Sequence, residues 1–226
     1  MFYKRVANKK HMNNLLSISG YETVMLRYVF AISVAPLTTD HVPQMGVLDR
    51  KYFPPEYARS NSGLESEFHD PGFMGHGLFD DKGELTGHIS GFELGTDEIE
   101  DVEDGLTVVA LGDKFKSMSE EQMKDWVKEE MKNNKIFYVS NFVIDPTHRL
   151  HIIKLIQRLG EVGLEKGYKY VAFHALSDTY NMLFKGVKGF AVRGVLNRAL
   201  TFKLIPQINV KTQDEEDLYV FEVAKK

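Results

Sequence analysis

The 226-residue sequence contains no cysteine. That excludes disulfide staples, thiolate zinc sites, iron–sulfur clusters and a cysteine nucleophile. Long apolar runs are also missing. The most apolar early stretch, Val24 to Leu37, carries Arg27 and is stopped at Pro36. It is too short and too interrupted to cross a bilayer. The basic opening, Met1 to Lys10, is not followed by the apolar stretch of a secretory signal. A cytoplasmic location with no membrane partner is therefore expected. No charge sign dominates: the formal net charge of −4 argues against a dedicated nucleic-acid binder. Hydrophobic residues make up 43% and charged residues 27%, with 15 Phe and 10 Tyr as core material. That is the composition of a globular protein rather than a disordered one.

Charge is unevenly spread along the chain. Residues 93–130 hold 13 acidic residues against 4 basic ones. Residues 135–205 hold 11 basic residues against 4 acidic ones. Such runs usually solvate a surface, and a basic half also suits a phosphate-bearing ligand.

Residues 1–20 show no clear period and read as an extension that docks or frays. Tyr28 to Pro36 reads as a strand stopped by proline. Thr38, Thr39 and Asp40 offer N-caps for a helix carrying Val42, Met45 and Leu48. Tyr52 to Tyr57 and Ser60 to Gly63 read as turn and loop.

Phe73 to Glu93 reads as a hairpin closed by Asp80-Asp81-Lys82-Gly83. Pairing Asp80 with Glu84 sets His76 directly across from His88. Two adjacent histidines would ligate a metal or grip a substrate, yet the sequence fixes no third ligand. His69 and Asp70 are only near in the chain. Ordinary strand histidines are the plainer reading, and no metal is expected.

The tract from Asp97 to Asp104 reads as an acidic loop, and Leu106 to Leu111 as a short strand. Ser117 with Glu120 matches a capping box. Met123, Trp126, Val127 and Met131 mark one face of the helix that follows, for core or partner contact. Lys135 to Ile144 is a strongly apolar strand, ended by Asp145-Pro146. A helix through Ile152, Leu155, Leu159 and Val162 stops at Gly167, and Tyr168 to Ala175 is the next strand. Strand, helix and strand in this order make a right-handed crossover. Thr179 to Lys188 reads as a helix, and Phe190 to Leu204 and Asp217 to Val223 as strands.

This order resembles the GCN5-related N-acetyltransferase superfamily from about residue 30 to 224. Ile32 to Val42 is similar to that family's first strand and helix, and the 73–93 hairpin to its second and third strands. Phe137-Tyr-Val-Ser-Asn-Phe-Val-Ile-Asp-Pro-Thr-His-Arg149 resembles its fourth strand and acyl-CoA loop. Tyr168 to Phe190, ending Leu183-Phe-Lys-Gly-Val-Lys-Gly-Phe190, resembles its fifth strand and the helix after it. The resemblance implies an α/β (α+β) fold. A mixed, mostly antiparallel sheet would have a splayed central parallel pair and be flanked by helices. Residues 1–29 would be an extension, and 30–226 one domain with an acidic insertion at about 96–134.

The resemblance also implies an acyl-CoA-dependent N-acyltransferase, with acetyl-CoA as co-substrate and an amine as acceptor. The backbone of Phe142, Val143 and Ile144 would bond the pantetheine arm. His148, Arg149, Leu150, His151 and Ile152, at a helix start rich in unpaired N–H groups, would take the phosphates. Asn181 would add a cofactor contact. Tyr180 is the candidate acid; Ser140 and Glu93 are candidate proton carriers. The usual loop glycines are replaced in Arg149-Leu-His-Ile-Ile-Lys154, and Ser140 stands where the family often has a glutamate. The alternative is the same fold without catalysis, acting as a structural or interaction component of a larger assembly. A protein partner would then meet residues 1–29 or the insertion.

Overall fold

The computed structural model describes residues 32–55, 58–94, 107–176, 198–211 and 216–226. Its centre is a single eight-stranded sheet in the order β1-β2-β3-β5-β6-β8-β7-β4. The strands are β1 Ser33–Pro36, β2 Met74–Phe79, β3 Leu85–Glu93, β4 Thr107–Ala110, β5 Lys135–Ile144, β6 Tyr168–Leu176, β7 Phe202–Lys211 and β8 Glu216–Lys225. Every pairing is antiparallel except β5 with β6.

Four α-helices lie on this sheet among the described residues. They are α1 Val42–Tyr52, α2 Asn61–Glu67, α3 Glu120–Asn133 and α4 Ile152–Glu165. Leu155 and Leu159 of α4 pack on Met74, Leu78, Ile89 and Phe137. Met45 of α1 and Leu64 of α2 pack with Phe79, Leu85 and Val143. Leu78 and Phe79 are successive strand residues, so these clusters lie on opposite faces. Met123 and Val127 of α3 cover Ile136, Tyr170, Ala172 and Val220. Ile136 and Phe137 alternate in the same way, which puts α3 on the α1 side. α4 joins β5 to β6, which requires such a crossover because the two strands run parallel.

Several local expectations change. Ser60 is not in a loop but caps α2, accepting from the Gly63 amide at 3.1 Å. The capping box of α3 uses Ser119 with Gln122, not Ser117 with Glu120. Arg198 and Ala199 are helical, and β7 starts only at Phe202 and runs to Lys211. Met123, Trp126 and Val127 do pack inward, so that stripe is core. The extension at 1–29, the tract 97–104 and the helix at 179–188 lie outside the described residues.

The histidine pair does not form. The turn itself is as expected: Gly83 has φ +78, and the Asp80 amide donates to Glu84 at 3.0 Å. Beyond it Phe79 pairs with Leu85, but Leu78 pairs with Gly87, leaving Thr86 as a bulge. The Thr86 hydroxyl donates to the Leu78 carbonyl at 3.0 Å. One inserted residue moves every later side chain to the other face. His76 therefore stands across from Ile89 and His88 across from Gly77. His76 is buried on the α4 side, whereas His88 is buried against Asp49 of α1.

Candidate functional site

The sheet opens at its centre. β5 and β6 are paired from Lys135 with Tyr168 to Val139 with Phe173, and no further. Yet β5 continues to Ile144 and β6 to Leu176. The two strands thus part after five rungs' worth of register, and among the described residues the backbone of β5 from Ser140 onward has no strand neighbour on the β6 side.

A second irregularity sits at the same place. On its other side β5 pairs with β3, where Ser90 meets Asn141 and Gly91 meets Val139. Ser140 is the extra residue of a β-bulge and belongs to neither ladder. Bulges bend a strand and re-aim its groups, and they gather beside functional sites. Gly91 permits this bulge. A Cβ there would lie 1.9 Å from the Tyr138 carbonyl oxygen.

At the point of divergence the Tyr138 hydroxyl lies 2.8 Å from Nδ1 of His174. Tyr138 is half-buried and packs on Phe92, while His174, the first β6 residue past the last rung, is exposed. Neither residue stands out in the sequence. Each is one polar group inside an apolar strand, KIFYVSNFVI or YVAFHAL, and only the strand pairing brings them together.

The far end of β5 leads into the loop before α4. Asp145 starts it, accepting from the Thr147 amide at 2.9 Å and the Thr147 hydroxyl at 2.6 Å. It also accepts from the Tyr52 hydroxyl at 2.5 Å and from Lys51 at 3.1 Å. Burial opposes the charge, but these donors from Thr147, Tyr52 and Lys51 outweigh it and hold the carboxyl well below its usual range. Pro146–His151 then form a 3₁₀ turn running into α4.

The overall fold has a counterpart among solved structures. A probable acetyltransferase from Staphylococcus epidermidis superposes with a TM-score of 0.50 at 9% identity, covering 86% of this chain and 99% of its own. The chain has the GCN5-related N-acetyltransferase fold. Two further similar structures carry that fold at lower scores. NAA60 of Arabidopsis thaliana in complex with acetyl-CoA has a TM-score of 0.48 at 14% identity, covering 84% of this chain and 97% of its own. FeeM, an N-acyl amino acid synthase from uncultured soil microbes, has a TM-score of 0.46 at 17% identity, covering 85% and 90%. No family model matches the sequence, and no curated protein does.

Within this acetyltransferase fold the expected site residues fall in three places. Ser140, Phe142, Val143 and Ile144 line the open arm of β5, with Phe142 exposed and Val143 buried. The Ser140 hydroxyl donates to the Ser90 carbonyl at 3.3 Å. His148, Arg149, Leu150 and His151 form the turn before α4, and Ile152 is its first residue. The side chains of Arg149 and Leu150 lie outside the described set. His148 sits 3.0 Å from the Thr147 hydroxyl. His151 is buried, and burial together with the Lys154 and His148 charges lowers its pKa, so it is neutral at pH 7. Lys154 donates to the Ile32 carbonyl at 3.2 Å, which draws its charge toward the strand side of α4.

Glu93 is not brought to the fork. It stands across from Phe137 near the closed end of the parallel pair. There it accepts from Lys135 at 3.2 Å and the Tyr168 hydroxyl at 3.1 Å. Burial and that carboxylate push Tyr168 up to about 12. Tyr180 and Asn181 lie outside the described residues. Among the described residues no cluster of three His, Asp or Glu could hold a metal, and no helix is long and apolar enough to cross a membrane.

Proposed function

We propose that the chain is an acyl-CoA-dependent N-acyltransferase, moving an acyl group, in the simplest case acetyl, directly to an amine. One observation carries this reading: the parallel pair β5/β6 parts at Val139 and Phe173 beside the bulge at Ser140. An extended pantetheine arm can take the place of the missing strand along Phe142 to Ile144. A bulged, unladdered backbone is suited to present an N–H to the thioester carbonyl, where negative charge develops in the transition state.

The rest of the chemistry is proton transfer. As the C–N bond forms and the C–S bond breaks, the attacking amine must lose a proton and the departing thiolate must gain one. Tyr138 and His174 stand at the apex of the fork, hydrogen-bonded to each other. In this reading His174 takes the proton from nitrogen and Tyr138 delivers one to sulfur. The proton then passes from the His174 imidazolium to the Tyr138 oxygen through their hydrogen bond, which restores both groups. Ser140 and Tyr180 remain secondary proton carriers, and Asn181 a cofactor contact. The loop from Asp145 to Ile152 would hold the phosphates mainly through backbone N–H groups and Arg149, because His151 is neutral and Lys154 donates to the Ile32 carbonyl just before β1. A protein partner would meet residues 1–29 or the acidic insertion at about 96–134.

The test is a titration of labelled protein with acetyl-CoA, followed by backbone amide spectra. The expected result is saturable shifts at Ser140 and at Phe142 to Ile144. Shifts confined to other strands would refute the assignment of the fork.

A further inference from the structure

Beneath the bulge, on the α1 side of the sheet, lies a buried polar cluster. Asp49, in the last turn of α1, is fully buried. Its Oδ1 accepts from Nε2 of His88 at 3.3 Å and from the amide of Asn141 at 3.2 Å. Its Oδ2 accepts from Nε of Arg59 at 3.0 Å and again from the Asn141 amide at 3.3 Å. Arg59 in turn pairs with Glu67 of α2.

This cluster is a costly way to fill a core. Nδ1 of His88, Oγ of Ser90 and Oδ1 of Asn141 are all buried with no hydrogen-bond partner among the described residues. Each such atom forfeits its hydration, at about 1–3 kcal/mol. A well-packed apolar set of the same size would often be as stable as a buried ion pair or more so. Stability alone does not account for it.

Its position does. Asn141 is the residue immediately after Ser140, and Ser90, its cross-strand neighbour, is the last residue before the register shifts. A bulge is one of two ways to lay β5 on β3. Sliding β5 by one residue would bring Ser140 opposite Ser90 and restore a regular ladder. The Asn141 amide, held on both oxygens of a fixed carboxylate, opposes that slip, since a serine at the same point would be too short to replace it.

We propose that Asp49 is a positioning residue for the acyl-transfer site, acting through Asn141 to hold β5 in its bulged register and the fork open. The catalytic part of this proposal rests on the acyltransferase reading; the structural part does not. Neither residue touches substrate.

The test pairs D49N with N141A. N141A leaves the Asp49–Arg59–His88 contacts in place, so it remains informative if D49N folds poorly. Amide hydrogen exchange at Ser140 to Val143 should accelerate by about tenfold or more in N141A, while amides of β7 and β8 keep their rates. In acetyl transfer, kcat should fall by about tenfold or more and KM for acetyl-CoA should rise, because the same register sets both the thioester contact and the pantetheine edge. The double variant should be no worse than the worse single one, because both act through one contact. Unchanged exchange at Ser140, a uniform rise across the sheet, or fully additive losses would overturn the proposal. If the wild-type chain neither binds nor turns over acetyl-CoA, the acyltransferase reading falls, and hydrogen exchange alone decides the positioning role.

Discussion

The Tyr138 hydroxyl and the imidazole of His174 bridge β5 and β6 at 2.8 Å, where the two strands stop pairing. If this pair moves the protons, Y138F and H174Q should each lower kcat by about 10²–10⁴-fold. Acetyl-CoA affinity should change little, because neither side chain belongs to the β5 edge that would hold the pantetheine. Steady-state kinetics with a separate binding assay checks this. Wild-type turnover in both variants would remove the pair from the mechanism.

Gly91 sets a steric condition on the same site. A β-carbon there would press on the Tyr138 carbonyl, a backbone atom that cannot swing aside. G91A should destabilise the fold by about 1–3 kcal/mol and weaken acetyl-CoA binding as the bulge shifts. Urea denaturation and calorimetric titration read the two effects. An unperturbed variant would mean that the bulge is not tightly constrained.

His76 gives a pH signature. It is 3% exposed, and burial, with the Arg158 and Lys166 charges, pushes its pKa from 6.5 down to about 4. The folded state binds this proton less readily than the unfolded chain does. The stability it contributes is therefore present above pH 6.5 and is lost as pH falls from there toward 4, by about 3 kcal/mol in all. H76L should flatten that part of the stability–pH curve. A wild-type curve with no decline between pH 6.5 and 4 would contradict the assignment.

Charged pairs should differ sharply in weight. R59M leaves the Asp49 carboxylate buried without its cation and should cost about 3–5 kcal/mol. K116A removes an ion pair with Asp113 that is open to solvent on both sides and should change stability by less than about 0.5 kcal/mol. Equal effects in thermal unfolding would show that the Asp49 cluster is better hydrated than its burial indicates.

Much of the frame is readable from apolar pattern alone. Lys135 to Ile144 is one strongly apolar strand with a proline stop after it, and its bounds match β5. The α4 stripe of Leu155 and Leu159 and the turn at Gly83 are equally plain. What escapes the pattern is any feature made by a single inserted residue. Thr86 and Ser140 look like ordinary strand residues, yet each shifts a register. The first separates His76 from His88, and the second marks the fork. Asn61-Ser62-Gly63 has loop composition, but the Ser60 cap and buried Leu64 make it helical. The pairs Tyr138–His174 and Asp49–Asn141 join distant segments, so no spacing along the chain announces them.

The central claim is that the fork between β5 and β6 binds an acyl-CoA thioester. Thermal unfolding with increasing acetyl-CoA measures this most directly. A ligand bound only to the folded state adds about 2.7 kcal/mol at a hundred times its Kd. The account predicts a melting temperature that climbs steadily with acetyl-CoA and climbs less in G91A. A melting temperature unmoved at millimolar acetyl-CoA would contradict it.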